Sequence, residues 1–304
     1  MLTPLDTLQT VETASINKAT AKTSKLILMG FLAGFFIGMA ALTSTITSVN
    51  LLANPDTYGL GKLIQGLVFS GGLIMVILGG TELFTGNSLM VTALISHKIT
   101  LKQLLRNWGL VYLGNFLGAL FLVFMVGASG ILDGNSGLIG SALARIATAK
   151  VSMEWGSAFT LGILCNILVC IAVWAAFGAK STAGKILAII FPVTFFVACG
   201  FEHSIANMFY IPAGLAYAGT FSWGAFLANL IPVTLGNIIG GGIFIASFYS
   251  FSLNDVKINL CLDEKNPTKK SNQKSLKTQP SSTSQKSQNS QKAQKPQKTS
   301  SQKK

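Results

Sequence analysis

The chain has 304 residues, half of them hydrophobic, with a mean hydropathy of +0.55 and 11% charged residues, against about 25% in soluble domains. That composition excludes an ordinary soluble enzyme. The net charge of +13 does not point to nucleic acid either. Residues 251–304 hold twelve of the 23 Lys/Arg and three of the 10 Asp/Glu, so nine of the thirteen net charges belong to that tail.

Residues 1–24 are rich in Thr and Ser and lack the basic start and apolar core of a signal peptide. Leu5, Leu8, Val11 and Ile16 can share one helical face, so this cytoplasmic segment is expected to be either a helix lying along the membrane interface or a frayed terminus. Six apolar runs follow, at 26–49, 63–96, 107–128, 156–178, 186–217 and 225–250, and define a pore domain over 25–252. A membrane span needs about 20 residues. The second run has 34 residues and the fifth has 32, which as straight helices would reach about 51 and 48 Å. Both are therefore expected to be broken. Residues 253–304 are a basic tail, low in complexity from about 262, expected to stay disordered in the cytoplasm with lysines able to touch anionic lipid.

Lys and Arg in short loops set the orientation. Lys18, Lys22 and Lys25 precede the first span, Lys98, Lys102 and Arg106 follow the second, and Lys180 and Lys185 follow the fourth. The alternate loops hold Lys62, then Arg145 and Lys150, then none. Both termini are expected in the cytoplasm.

The two overlong runs carry the same interruption. Gly80-Thr81-Glu82-Leu83-Phe84-Thr85-Gly86-Asn87 and Gly200-Phe201-Glu202-His203-Ser204-Ile205-Ala206-Asn207 share Gly, Glu and Asn at the same offsets, displaced by 120. Leu113-Gly114-Asn115-Phe116-Leu117-Gly118 and Leu235-Gly236-Asn237-Ile238-Ile239-Gly240 match at 122. Three spans per copy is an odd number, so the copies enter the membrane from opposite sides. Such inverted repeats with paired broken helices place a solute pathway at their interface near the midplane. The fold class is an all-α membrane protein of six helices in two inverted halves.

Glu82, Glu202 and His203 are the ionisable residues near mid-span, where a charge costs about 2.5–3.5 kcal/mol. Both Glu carboxylates, with Asn87 and Asn207, are expected to support the breaks, accepting from backbone N–H groups freed there. His203, whose counterpart is Leu83, is expected to act on the solute as a proton donor or hydrogen-bond donor. Thr85 and Asn166 are short polar groups suited to a small ion or to local backbone bonds. Phe69, Leu73, Leu83, Phe84 and Phe196 read either as packing residues or as hydrophobic constrictions. Lys150 is either a snorkelling lysine or an anion attractor at the pore mouth. Cys165, Cys170, Cys199 and Cys261 have no metal or disulfide spacing and read as small apolar fillers. No metal or cofactor is expected.

Together with Cys165-Asn166-Ile167-Leu168-Val169-Cys170 and Asn229-Leu230-Ile231-Pro232-Val233-Thr234-Leu235-Gly236-Asn237, these segments resemble the formate/nitrite transporter family from about residue 20 to 250. The resemblance implies an aquaporin-like homopentamer with a pore in each protomer. It makes His203 the pore histidine, Thr85 the threonine opposite, Asn166 a pore asparagine and Lys150 the lysine of the outer vestibule. Phe69, Leu73, Leu83, Phe84 and Phe196 fall at the family's two constrictions. The expected substrate is a small weak-acid anion at the cell membrane, formate first and nitrite second, with hydrosulfide or lactate as alternatives. A water or glycerol channel would want paired Asn-Pro-Ala motifs, which are absent, and a membrane-embedded enzyme would want more than two histidines.

Overall fold

The computed structural model describes residues 1–254, so the tail from 255 onward, with Cys261, lies outside the described residues. The described chain is all-helical. Helix α1 (Pro4–Ala19) leads into α2 (Thr23–Ala53), α3 (Tyr58–Leu78), a 3-10 turn (Gly86–Met90) with short α4 (Val91–Ile95), and α5 (Leu101–Ala128). Then come α6 (Leu138–Val151), α7 (Trp155–Gly178), α8 (Thr182–Ala198), α9 (Ser204–Tyr217) and α10 (Trp223–Ile238), which continues as a π-helix over Ile239–Ser247. Among the described residues five segments are long and apolar enough to cross a membrane: Thr23–Ala53, Pro55–Leu78, Leu101–Ala128, Trp155–Gly178 and Trp223–Asn254. The remaining span is divided between α8, 17 residues, and α9, 14 residues.

Both expected breaks are present, and both are built the same way. Gly80 (φ +63°) and Gly200 (φ +72°) adopt the left-handed conformation that stops a helix at little cost in a residue without Cβ. The next N–H turns back to the helix, Thr81 N to Val76 O at 3.0 Å and Phe201 N to Phe196 O at 2.9 Å. The chain then runs extended and restarts as a helix. The restart differs between halves: a 3-10 turn and five α-helical residues in the first, fourteen in the second.

Close backbone contact holds each half together. A Cβ on Gly118 would lie 1.9 Å from Phe31 O, and one on Gly240 2.2 Å from Ile163 O. Gly114 and Gly236 meet Ile27 O and Phe159 O in the same manner, at 2.6 and 2.2 Å. Glycine thus lets α5 lie on α2, and α10 on α7, at backbone distance, as small residues do between membrane helices.

Helix α1 is ordered and packs against this body. Leu8, Val11 and Glu12 are each only 2% exposed, and Leu2 N bonds Gly178 O at 2.8 Å. Glu12 pairs with Lys98 and accepts from Ser96. Of the cysteines, Cys165 and Cys170 are buried, but Cys199 is exposed at the end of α8 and fills nothing.

Candidate functional site

Each break frees backbone groups that lipid would leave unpaired at a cost of several kcal/mol apiece. Glu82 N and Glu202 N turn to the neighbouring helices, to Met29 O (3.2 Å) and Leu161 O (3.3 Å), and one asparagine per half takes a further N–H and a C=O. Asn115 Oδ1 accepts from Phe84 N (3.0 Å), while its Nδ2 donates to Glu82 O (2.9 Å) and Gly30 O (2.7 Å). Asn237 does the same for Ser204 N (2.9 Å), Glu202 O (2.9 Å) and Gly162 O (2.7 Å). The expectation that Glu82 and Glu202 take the freed N–H groups is therefore corrected.

The carboxylates serve a different cluster, also present twice. Glu82 Oε2 accepts from Lys18 Nζ (3.0 Å) and Asn87 Nδ2 (2.8 Å), and Lys18 Nζ reaches Asn87 Oδ1 at 2.7 Å. Glu202 accepts from Lys150 Nζ (2.6 Å) and Asn207 Nδ2 (2.6 Å). Asn87 and Asn207 each donate onward, to Asn107 Oδ1 (2.9 Å) and Asn229 Oδ1 (2.8 Å). These two asparagines in turn hold the backbone of the lysines, Asn107 Nδ2 to Lys18 O and Asn229 Nδ2 to Lys150 O. Charge buried this deep persists when paired and fully hydrogen-bonded. Lys150 is matched by Glu202 and stands 5.7 Å from the Tyr210 ring, so it does not present an unmatched charge to the mouth.

Lys18 is the counterpart of Lys150, and sequence reasoning missed it. So were Asn107 and Asn229 missed as members of the cluster. Lys18 and Lys150 are 132 apart, whereas the breaks are 120 apart and the Asn115 pair 122. The same spacing of 132 relates Gly30 to Gly162, and it was the available signal.

The breaks meet at His203. Its Nε2 lies 2.9 Å from Thr85 Oγ1, and its Nδ1 accepts the Ala206 N–H at 3.1 Å, capping α9. With Nδ1 occupied as an acceptor, the neutral ring carries its proton on Nε2 and donates it toward Thr85. Both side chains are buried. Phe196 stacks on the imidazole (centroids 5.9 Å apart, planes 18° apart), and Phe69 meets Phe196 edge-on at 5.8 Å.

Cavities approach this meeting point from two faces. On the α6 face, a cavity of about 220 Å³ is lined by His203, Phe69, Phe196, Lys150, Glu202 and Gln65, among others. On the α1 face, one of about 230 Å³ holds Lys18, Glu82 and Lys185. Beside it a narrow one of about 40 Å³ is lined by Leu73, Leu83 and the inner side of α1.

Three expected site residues are not placed on these cavities: Thr85, fully buried at the junction against His203, and Phe84 and Asn166. The Phe84 ring packs edge-on against Tyr112 (4.8 Å) and Trp108 (6.0 Å) and lines an apolar groove between α5 and α10. Asn166 is fully buried behind Thr85, its Nδ2 directed at Thr85 O (3.2 Å), Ser88 Oγ (3.2 Å) and Asn237 O (2.6 Å). Its geometry is that of a brace. Among the described residues no group of three or more His, Cys, Asp or Glu could hold a metal ion.

Six spans in two inverted halves, with interrupted helices converging on a buried polar pair between two cavities, define a multi-pass membrane transport protein. Comparison with known proteins gives the family. Residues 5–251 match the formate/nitrite transporter model, and the chain belongs to that family, whose members are channels and transporters rather than enzymes. It is 43% identical over 238 residues to the uncharacterized transporter YrhG of Bacillus subtilis, covering 78% of this chain and 88% of the relative. It is 39% identical over 269 residues to the formate channel FocA of Haemophilus influenzae (82% and 94% covered). The figure for FocA of Escherichia coli is 38% over 268 residues (82% and 93%). Among solved structures, a pentameric formate channel with formate bound matches with TM-score 0.67 and 38% identity, covering 76% of this chain and 97% of that one. An ion channel of the same family gives TM-score 0.72 and 26% identity (81% and 98%).

Proposed function

We propose that the chain forms a pore for a small monovalent weak-acid anion, formate first and nitrite second, across the cytoplasmic membrane. Both termini lie in the cytoplasm, and the protein assembles as a homopentamer with one pore per protomer. The named formate channels among its relatives and the pentameric neighbour support substrate and assembly. The observation that carries the reading is the 2.9 Å contact between His203 Nε2 and Thr85 Oγ1 where the two breaks meet.

A bare anion entering a dry constriction loses hydration at a cost of several kcal/mol. Crossing as the neutral acid, or with a hydrogen bond held out to it, lowers that barrier. Phe69 and Phe196 form the constriction on the α6 side and Leu73 and Leu83 the one on the α1 side. His203 and Thr85 supply the polar contact between them. The neutral ring shares its Nε2 proton with Thr85 and so can hydrogen-bond a passing oxygen through the hydroxyl. Handing over a whole proton requires a second one on Nδ1, which displaces the Ala206 N–H. Proton delivery is thereby tied to unfastening the first turn of α9. The aromatic pair over the ring favours solutes of few atoms, which places formate and nitrite ahead of lactate.

The test is purified protein in liposomes, assayed for formate, nitrite and hydrosulfide uptake with and without an inward proton gradient. Formate uptake should accelerate under the gradient. In His203→Asn, which keeps a side-chain cap for α9, uptake should fall about tenfold or more and respond less to pH. An unaltered rate and pH profile in that variant would refute the assignment.

A further inference from the structure

Arg145 lies on α6 five residues before Lys150. Among the described residues it has no ion-pair partner, whereas Lys150 is matched by Glu202. It lines a side chamber of about 470 Å³ together with Thr45 and Ser48 of α2 and Gln65 of α3. Gln65 and Ile146 line both this chamber and the cavity that holds His203, so the two spaces adjoin at these side chains.

The chamber's chemistry is one-sided. Thr45 gives its hydroxyl hydrogen to Ala41 O (2.9 Å) and Ser48 gives its own to Ser44 O (2.6 Å), so neither donates inward. No carboxylate lines the space. The donors left are the Gln65 amide and the Arg145 guanidinium, a planar fork that fits the two oxygens of a carboxylate or nitrite. The α1 face repeats this division of labour from another position. There Lys18 is matched by Glu82, and Lys185, the counterpart of Gln65 at the 120 spacing, lines the cavity without an ion pair among the described residues. The α6 mouth thus holds one matched cation, Lys150, and two without an ion pair among the described residues, Arg145 and the Lys62 that lines the His203 cavity, against one of each kind on the α1 face.

We propose that the Arg145 chamber is an anion-holding site for small planar monoanions, loading the pathway at the α6 mouth ahead of His203. This rests on the anion-pore reading above. The unmatched charge raises the local anion concentration at the mouth, and salt screens it over about 8–10 Å.

The test uses the full chain in sealed membrane vesicles of the two opposite orientations, with labelled formate outside and initial rates taken over a range of concentrations. In Arg145→Gln the half-saturating formate concentration should rise about threefold at low ionic strength, in one vesicle orientation only. The difference should fade when ionic strength is raised with gluconate, and Arg145→Lys, which keeps the charge without the fork, should restore part of it. A half-saturation equal to wild type at low salt in both orientations would overturn the proposal. So would a defect that ignores salt and is not rescued by lysine, because that marks a packing role. If the wild type moves no formate, the anion-pore reading falls and this site falls with it; if it does, failure of the Arg145 variants to respond removes the chamber alone.

Discussion

The two halves of the molecule share a scaffold and differ where the two breaks meet. Break, asparagine pin, Lys–Glu–Asn cluster and glycine contacts recur in both. At the centre the symmetry fails: Leu83 stands opposite His203, and the aliphatic Leu73–Leu83 lining faces the aromatic Phe69–Phe196 pair. Parts that satisfy backbone in lipid are under the same constraint on both sides and stay alike. A pathway that presents one hydrogen-bond donor needs one imidazole, and a second would add another buried polar group to satisfy.

Making the halves unequal in their scaffold should have the largest effect. Gly118→Ala puts a Cβ 1.9 Å from Phe31 O, and Gly240→Ala one 2.2 Å from Ile163 O. Each should cost about 3 kcal/mol or more and lower the yield of folded protein on size exclusion. Gly71→Ala, with open space around the site, should leave the yield unchanged.

Next come the ion pairs. Lys150→Met strands Glu202 and should lower stability by about 3 kcal/mol. Lys18→Met should cost less, because Lys18 is 24% exposed against 14% for Lys150, so water can replace it more readily. Thermal unfolding in detergent ranks the two, and the reverse order would contradict the comparison.

Erasing the central asymmetry acts on transport rather than folding. His203→Leu makes both breaks alike at that position, and formate flux should fall about tenfold or more. Because a falling pH supplies both the neutral acid and ring protons, wild-type flux should rise as pH falls, and the variant should respond less. The smallest effect is expected at the aromatic pair. Phe69→Leu copies the aliphatic lining and should raise uptake of acetate relative to formate about two- to threefold, in line with the modest discrimination of apolar pockets.

The sequence made the breaks legible because chemistry and geometry coincide there. A 34-residue apolar run with Gly and Glu inside it has few ways to sit in a bilayer, and an inverted copy narrows them further. His203 stood out as the one histidine in a span. Lys18 did not, because a lysine before the first span already has an explanation in membrane orientation, and its partner Lys150 sits at a different spacing from the breaks. Phe84 stays open between packing and constriction in the sequence for a related reason. Its position beside Leu83 and Thr85 is visible, but which side of an irregular segment a ring takes depends on Trp108 and Tyr112, far along the chain. The role of Asn115 and Asn237 was hidden in a repeat recognised only as a pattern, since an amide that serves three backbone groups looks no different in sequence from any other.

Asn166 ties the molecule's two interruptions into one mechanical unit. Its amide reaches the carbonyl of Thr85 in one break and that of Asn237, the residue fastening the other. A single side chain therefore carries any displacement of Thr85 directly to the fastening of the opposite half, and removing its amide would uncouple the two tips without touching either asparagine pin.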